Sequence, residues 1–315
     1  MEIRSNEIVS VIIVTVGAGD HLRRCLHSLS LQTYSCLDSI VVDNSLQSSW
    51  SRGLALSFPA AKFYSSPFRM AYGESLNKGI SLSAGAYILC LNDDVVLEAS
   101  FIQEALRGFS AGPRVGMVSG KILRWDRKTL DSTGLFLSYC RTARERGYGT
   151  RDRGQFEQQG FVFGASGAAA LYKREMLEDI KQGADYFDSR FRFFYEDLDL
   201  AWRGQRAGWL GYYVPSALAY HLRGASLRTP QGISRPLARR FLSEECYLEL
   251  VKNRYLTILK NETAPRFIWH LPGILFYDLF AWIYLLVFKP KLIKKIPRLV
   301  SQIQLSLKKN NLSRS

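Results

Sequence analysis

Ile8 to Val16 is an almost unbroken run of β-branched residues. A strand written this way has no solvent face, so helices must cover both of its sides, and the arrangement that provides this is a parallel sheet. After Gly17 and Gly19, Asp20 can cap a helix whose apolar positions Leu22, Cys25, Leu26 and Leu29 fall on one face. Ser39 to Asp43 then reads as a second strand ending in an acid, which closes a βαβ unit. The pattern recurs with a helix around Glu74 to Ser83, a strand at Tyr87 to Leu91, a helix around Ser100 to Phe109 and a strand at Val115 to Leu123. This alternation predicts an α/β fold built on a doubly wound, mostly parallel sheet with helices on both faces. In such sheets ligands bind beyond the carboxyl ends of the strands, where Asp43 and Asp94 fall.

From Arg124 to Gln159 the periodicity fades, and the segment reads as a loop-rich insertion ordered by substrate. Gly164 to Ala170 is small enough for close backbone approach or for simple tight packing, and Leu171 to Leu177 leads into another helix. A chain of 315 residues fits one catalytic body with an appendage. We expect a body over 1–260, with halves 8–123 and 124–260, and a helical tail over 261–315. Five cysteines without a C-x-x-C pair support neither a disulfide framework nor a zinc site, which points to a reducing, cytosolic compartment. Met1 to Glu7 lacks the features of a signal peptide, and the sequons at Asn261 and Asn311 then read as chance.

Phe267 to Phe288 is nearly all apolar, interrupted by His270, Pro272 and Asp278. As a helix it could cross a hydrocarbon layer of about 30 Å. Basic residues flank both ends: Lys252, Arg254, Lys260 and Arg266 before it, Lys289, Lys291, Lys294, Lys295 and Arg298 after it. A span would carry one cluster across the membrane against the positive-inside bias, whereas a helix lying in the interface lets both meet anionic headgroups. The reading is therefore a peripheral or monotopic helix on an anionic membrane surface, with a homo-oligomer interface as the alternative. Leu292, Ile293, Ile296, Leu299, Val300 and Ile303 continue the amphipathic pattern. The net charge of +14 calls for an anionic partner. No nucleic-acid-binding motif accompanies it, so a phosphorylated substrate or a membrane is favoured over nucleic acid.

Two acidic clusters carry the chemistry. Asn92-Asp93-Asp94 follows a buried strand. Hard ions such as Mg2+ or Mn2+ take one or two carboxylates plus substrate phosphate oxygens, so Asp94 reads as a metal ligand or as a turn acid capping the next helix. Glu196-Asp197 lies among aromatic residues at a helix start, where a carboxylate can accept a proton from an attacking hydroxyl. The competing reading is a first-turn charge cluster favoured by the helix dipole. His221 ends a strand-like run and is either a satisfied structural residue or a nitrogen ligand to the same cation.

In order, Val9 to Thr15, Ile40 to Ser45, Leu91 to Asp94, Gly164 to Leu177 and Tyr195 to Arg203 resemble the motifs of family 2 glycosyltransferases. Phe163 to Tyr172 and Tyr213 to Ala217 look most like bacterial rhamnosyltransferase-type members. The resemblance spans residues 8 to 260 and implies a GT-A fold with inversion at the anomeric carbon by single displacement. It further implies Thr15, Asp43, Asn77 and Asp93 near the nucleotide sugar, Asp94 and His221 on a divalent metal, Asp197 as base and Glu196 beside it. Asn92 stands where relatives carry the first acid of D-x-D. The implied donor is dTDP-rhamnose or a UDP-sugar, and the acceptor a surface glycan or polyprenyl-linked intermediate at the cytoplasmic face. A sugar nucleotidyltransferase would need a basic Gly-rich loop that Val16 to Asp20 lacks, and an inactive scaffold sits poorly with an intact Glu196-Asp197.

Overall fold

The computed structural model describes residues 7–17, 19–46, 49–222, 243–297, 299–301 and 303–304. Ala18, Arg298 and the sequon at Asn311 lie outside them. The first half runs β1 (Val9–Thr15), α1 (Asp20–Ser30), β2 (Leu37–Asp43), α2 (Ser49–Ser57), β3 (Ala61–Ser65), α3 (Tyr72–Ser81), β4 (Tyr87–Asn92), β5 (Val95–Leu97) and α4 (Phe101–Arg107). It continues through β6 (Val115–Arg124), β7 (Leu130–Ser132), β8 (Leu135–Leu137), β9 (Ala143–Glu145), β10 (Gly160–Val162), β11 (Ala169–Lys173) and α5 (Arg174–Ile180). Then follow α6 (Glu196–Arg206), β12 (Leu210–His221), α7 (Glu244–Asn261) and α8 (Ala264–Phe288).

The main sheet has the order β10, β12, β6, β11, β4, β1, β2, β3. β1 pairs in parallel with β2 and β4, and β2 with β3, as the β-branched run demanded. Every residue of β1 is buried. Val9, Val11 and Ile13 join the core that holds α1 and α4, while Ile12 and Val14 join the core that holds α3, α5 and α6. Alternate side chains of one strand thus feed two hydrophobic layers, which is what makes the sheet doubly covered.

Three local expectations change. Leu171 to Lys173 belong to β11, which runs antiparallel between β4 and β6, and α5 starts only at Arg174. A fully buried five-residue strand and a buried helix share one apolar signature, so periodicity could not separate them here. The segment expected as a substrate-ordered loop contains β7, β8 and β9, with β8 and β9 forming a hairpin. Asp20 is the first residue of α1 behind Gly19, which gives it a first-turn role at the dipole rather than a cap.

The basic flank before α8 is also corrected. Lys252, Arg254 and Lys260 are buried. Lys252 pairs with Glu249 at 2.6 Å, Arg254 with Asp278 at 2.5 Å and Lys260 with Asp199 at 2.9 Å. These charges face acids of the body and of α8, so they are neutralised inside the protein instead of facing headgroups. Lys291, Lys294 and Lys295 beyond α8 are exposed.

Candidate active site

The carboxyl ends of β1, β2 and β4 form one rim, because Thr15 stands opposite Asp43 and Val14 opposite Asn92. Thr15 Oγ1 donates to Asp93 Oδ2 at 2.6 Å. Asp43 is buried and accepts from Ser45 N at 2.9 Å. Burial pushes the Asp93 carboxyl up, and the Thr15 hydrogen bond works against it. Asn77 stands apart from this group. Its side chain donates to Phe187 O at 2.7 Å and accepts from Tyr186 N and Phe187 N, so it ties α3 to the segment leading into α6.

Asp94 is delivered by the tight turn between β4 and β5, and antiparallel pairing of β5 with the end of β12 sets His221 opposite Val95. His221 Nε2 lies 3.2 Å from Asp94 Oδ1, and Nδ1 lies 2.8 Å from Asp131 Oδ2. Burial alone would depress this imidazole, but the hydrogen bonds to Asp131 and Asp94 prevail and hold it up to about 9. The Asp131 carboxylate on Nδ1 is the kind of partner that orients a metal-ligating histidine, and Nε2, which faces Asp94, would take an ion only on giving up its proton. Among the described residues no three His, Cys, Asp or Glu side chains converge to chelate an ion by themselves. Asp94 Oδ1 and His221 Nε2 are donors that would suit a divalent ion, with oxygen ligands from elsewhere completing its shell.

Glu196 and Asp197 open α6 behind two left-handed residues, Phe194 at φ 65° and Tyr195 at φ 72°. Neither is glycine, so the conformation is strained and has to be held from outside. Asn253 of α7 does this: its Nδ2 donates to Phe193 O at 2.6 Å and to Phe194 O at 3.0 Å. The turn aims both acids inward. Asp197 Oδ2 accepts from Gly167 N at 3.1 Å and Oδ1 from Leu198 N at 2.7 Å. Burial raises the Asp197 carboxyl while the backbone donors favour its ionised form. Burial and the Asp197 charge push Glu196 up to about 8, and its buried Oε2 has no hydrogen-bond partner among the described residues. The proton of this pair thus belongs on Glu196 and the charge on Asp197.

The two clusters border one another through Glu145, which accepts from Ser132 beside Asp131 and from Ser166 beside Gly167. The Tyr72 hydroxyl donates to Asn92 Oδ1 at 2.7 Å, and burial together with Glu196, Asp197 and Asp93 pushes its phenol well up. Glu145 senses both Asp197 and Asp131. Asp131, Glu145, Tyr72 and Asn253 went unseen in the sequence, since no motif or spacing distinguishes them from loop or helix-face residues.

Gly164 and Gly167 have a steric reason. A Cβ on Gly164 would sit 2.4 Å from Ala201 Cβ of α6, and one on Gly167 would sit 3.0 Å from Asp197 Oδ2. Gly167→Ala accordingly displaces the carboxylate. We expect kcat to fall on the order of 10-fold or more with the melting temperature nearly unchanged, as read by steady-state kinetics and calorimetry. Wild-type kcat in this variant would show that the carboxylate tolerates the shift.

Glycosyl transferase family 2 matches over residues 10–181. The chain belongs to that family. It is a glycosyltransferase, and its fold is of the GT-A type. It is 26% identical over 242 residues to N-acetylglucosaminyl-diphospho-decaprenol L-rhamnosyltransferase of Mycobacterium tuberculosis, covering 70% of this chain and 78% of that protein. Among solved structures it is similar to a mannosyltransferase from Pyrobaculum calidifontis in complex with GDP-Man and Mn2+, with TM-score 0.54, 15% identity and coverage of 98% and 88%. GalNAc-T7 with UDP, GalNAc and Mn2+ gives TM-score 0.58 at 13% identity, covering 80% of this chain and 47% of its own. TarS of S. aureus gives 0.56 at 14% identity, covering 85% of this chain and 42% of its own.

Proposed function

We propose that this glycosyltransferase inverts configuration while moving rhamnose from dTDP-rhamnose to a polyprenyl-diphosphate-linked glycan at the cytoplasmic membrane face. The reading is supported by one observation, the hydrogen bonds of Glu145 to Ser132, next to Asp131 of the Asp94–His221–Asp131 cluster, and to Ser166, next to the Gly167 that holds Asp197. The choice of sugar and acceptor is supported by the mycobacterial relative.

Asp197 accepts the acceptor hydroxyl proton as that oxygen attacks the anomeric carbon, and the bond from this carbon to the diphosphate breaks on the opposite face. Protonated Glu196, whose Oε2 has no partner among the described residues, orients the hydroxyl. Thr15, Asp43 and Asp93 line the nucleotide side. A divalent ion held by Asp94 and His221 would supply charge neutralisation to the departing diphosphate.

The tail reading takes residues 261–315 as a membrane-association segment on a catalytic body of 1–260. Helix α8 has 25 residues, about 37 Å of helix, and exposes Ile268, Trp269, Leu275, Phe276, Leu279, Phe280 and Val287. Its length and composition suffice to cross a membrane. Yet its other face is fastened along the axis: the Tyr139 hydroxyl donates to Trp269 O at 2.9 Å, Gly273 packs on the Tyr139 ring, Asp278 pairs with Arg254, and Leu285 packs beside Tyr247. A helix docked lengthwise on a polar body supports an interfacial position, with the body kept outside the hydrocarbon.

The test is a panel of nucleotide sugars, assayed by thermal shift and by diphosphate release with a prenyl-linked acceptor, with Mn2+ or with chelator. Stabilisation by dTDP-rhamnose only with metal, and its loss in Asp94→Ala, is expected. Turnover of a UDP-sugar alone replaces the donor, and unchanged metal dependence in Asp94→Ala removes its ligand role.

A further inference from the structure

Glu145 sits on β9 and has its two carboxyl oxygens gripped from different parts of the site. Ser166 Oγ donates to Oε1 at 2.9 Å, and Ser132 Oγ donates to Oε2. Both serines are buried. Each is the immediate neighbour of a residue already placed in the site. Ser132 follows Asp131, whose carboxylate holds His221 against Asp94, and Ser166 precedes Gly167, whose N–H holds Asp197. The serines are fixed in turn: Ser132 Oγ also accepts from Gly134 N at 3.0 Å, and Gly164 beside the Ser166 turn is bonded to β8 through Leu135 N at 2.8 Å.

We propose that Glu145 is a positioning residue for sugar transfer, a carboxyl strut that sets the separation between the diphosphate end at Asp94–His221 and the base at Asp197. This rests on the role proposed above for Asp197. His221 and Arg124 face Asp131, so the Asp197 end is the one that an uncharged strut spares from repulsion. The strut's situation enforces the uncharged state: burial, then the Asp197 charge from α6 and the Asp131 charge from β7, push Glu145 up to about 8 against the two serine hydrogen bonds. The cation beside it on the chain does not offset this. Arg146 spends its guanidinium on Thr133 Oγ1 at 2.9 Å and Thr133 O at 3.0 Å, and on the ring faces of Phe136, Phe156 and Tyr213. Ionisation above about pH 8 would add a negative charge that His221 and Arg124 oppose only at the Asp131 end, and so would push against Asp197.

The role separates from packing and from donor binding in one set of measurements on the full-length chain, using whichever nucleotide sugar the wild type turns over. Glu145→Leu removes both links, and kcat should fall on the order of 100-fold while the donor dissociation constant stays within about three-fold. Glu145→Gln keeps an acceptor and a donor but cannot ionise, so it should recover kcat to within about five-fold of wild type. Its alkaline decline in kcat should be shallower than that of wild type, because only the Glu196 and His221 titrations remain in that range. Ser132→Ala and Ser166→Ala each remove one link and should each give a smaller loss, which keeps the proposal open to refutation if the leucine variant does not fold. Glu145→Leu with wild-type kcat overturns the proposal, as does a glutamine variant as poor as the leucine one at an unchanged melting temperature. A donor affinity that falls in step with kcat overturns it too, because Glu145 would then belong to the donor pocket. An active Asp197→Asn enzyme defeats the base assignment instead, whatever the Glu145 variants do.

Discussion

Asp197→Asn should lower kcat for sugar transfer by about 10²- to 10⁴-fold while leaving donor affinity close to wild type, the range expected when a positioned general base is removed. The amide is nearly isosteric, and its oxygen can still accept from Gly167 N or Leu198 N, so α6 keeps its place. Its nitrogen cannot take a proton from the acceptor hydroxyl. Glu196→Gln should cost less, since the amide preserves a neutral hydrogen-bonding group where the carboxyl already carries the proton. The pH profile adds an independent reading. Asp197 works ionised and its carboxyl is raised by burial, so the acid limb of kcat/KM should lie above the ordinary aspartate range, with activity falling as pH drops through it. Single-turnover kinetics on both variants would decide the assignment. Wild-type transfer by Asp197→Asn removes the base from Asp197.

The sequence made the outline of this site legible because two of its anchors are backbone events. A β-branched strand must end somewhere, and the ends of β1, β2 and β4 place Thr15, Asp43 and Asp93 on one rim. The acids at the start of α6 stood out because carboxylates among Phe194, Tyr195, Leu198 and Leu200 have no packing rationale. What stayed hidden depends on partners remote in sequence. Asp131 becomes significant only when the strand pairing of β5, β12 and β6 brings His221 between it and Asp94. Glu145 becomes significant only when β8 and β9 fold the polar insertion back over Ser132 and Ser166. Asn253 reads as one more polar residue on an amphipathic helix until the carbonyls of Phe193 and Phe194 turn toward it. The basic flank of α8 misled for the same reason in reverse, since Lys252, Arg254 and Lys260 have acidic partners that no local pattern reveals.

Lys260→Met should destabilise the fold by about 3–5 kcal/mol, the cost of removing one partner from a buried ion cluster. Lys260 Nζ contacts Asp188 and lies 2.9 Å from Asp199 Oδ1, while Arg203 Nε lies 3.0 Å from Asp199 Oδ2 and Asn261 Nδ2 donates to Oδ1 at 2.8 Å. Asp199 is fully buried, so its charge has no water to turn to when the ammonium is gone. The exposed Lys181–Glu178 pair, at 2.7 Å, is the control, and Lys181→Met should leave the denaturant midpoint where it is. Burial would raise Asp188 and Asp199. The Arg190 hydrogen bond and Lys260 prevail at the first, and Lys260 with Arg203 at the second, so both carboxyls are held below the usual aspartate range. Their contribution is therefore complete above the unfolded aspartate value of about 3.9 and is lost as pH falls through the folded values, where the unfolded chain binds more protons. Acid unfolding of the wild type should be steep in that window and shallower in Lys260→Met. Glu196 and Glu145 carry the opposite sign: raised to about 8, they cost stability as pH climbs from the ordinary glutamate range toward that value. Helix α6 thus begins with acids whose burial is unfavourable and is anchored within its first turn by an acid whose pairing is favourable. Loosening the anchor should release the strained Phe194–Tyr195 turn before the sheet unfolds, so hydrogen exchange in Lys260→Met should rise first at 193–199. Uniform exchange across the chain, or a stability loss under about 1 kcal/mol, would mean that the cluster does not bear on the turn.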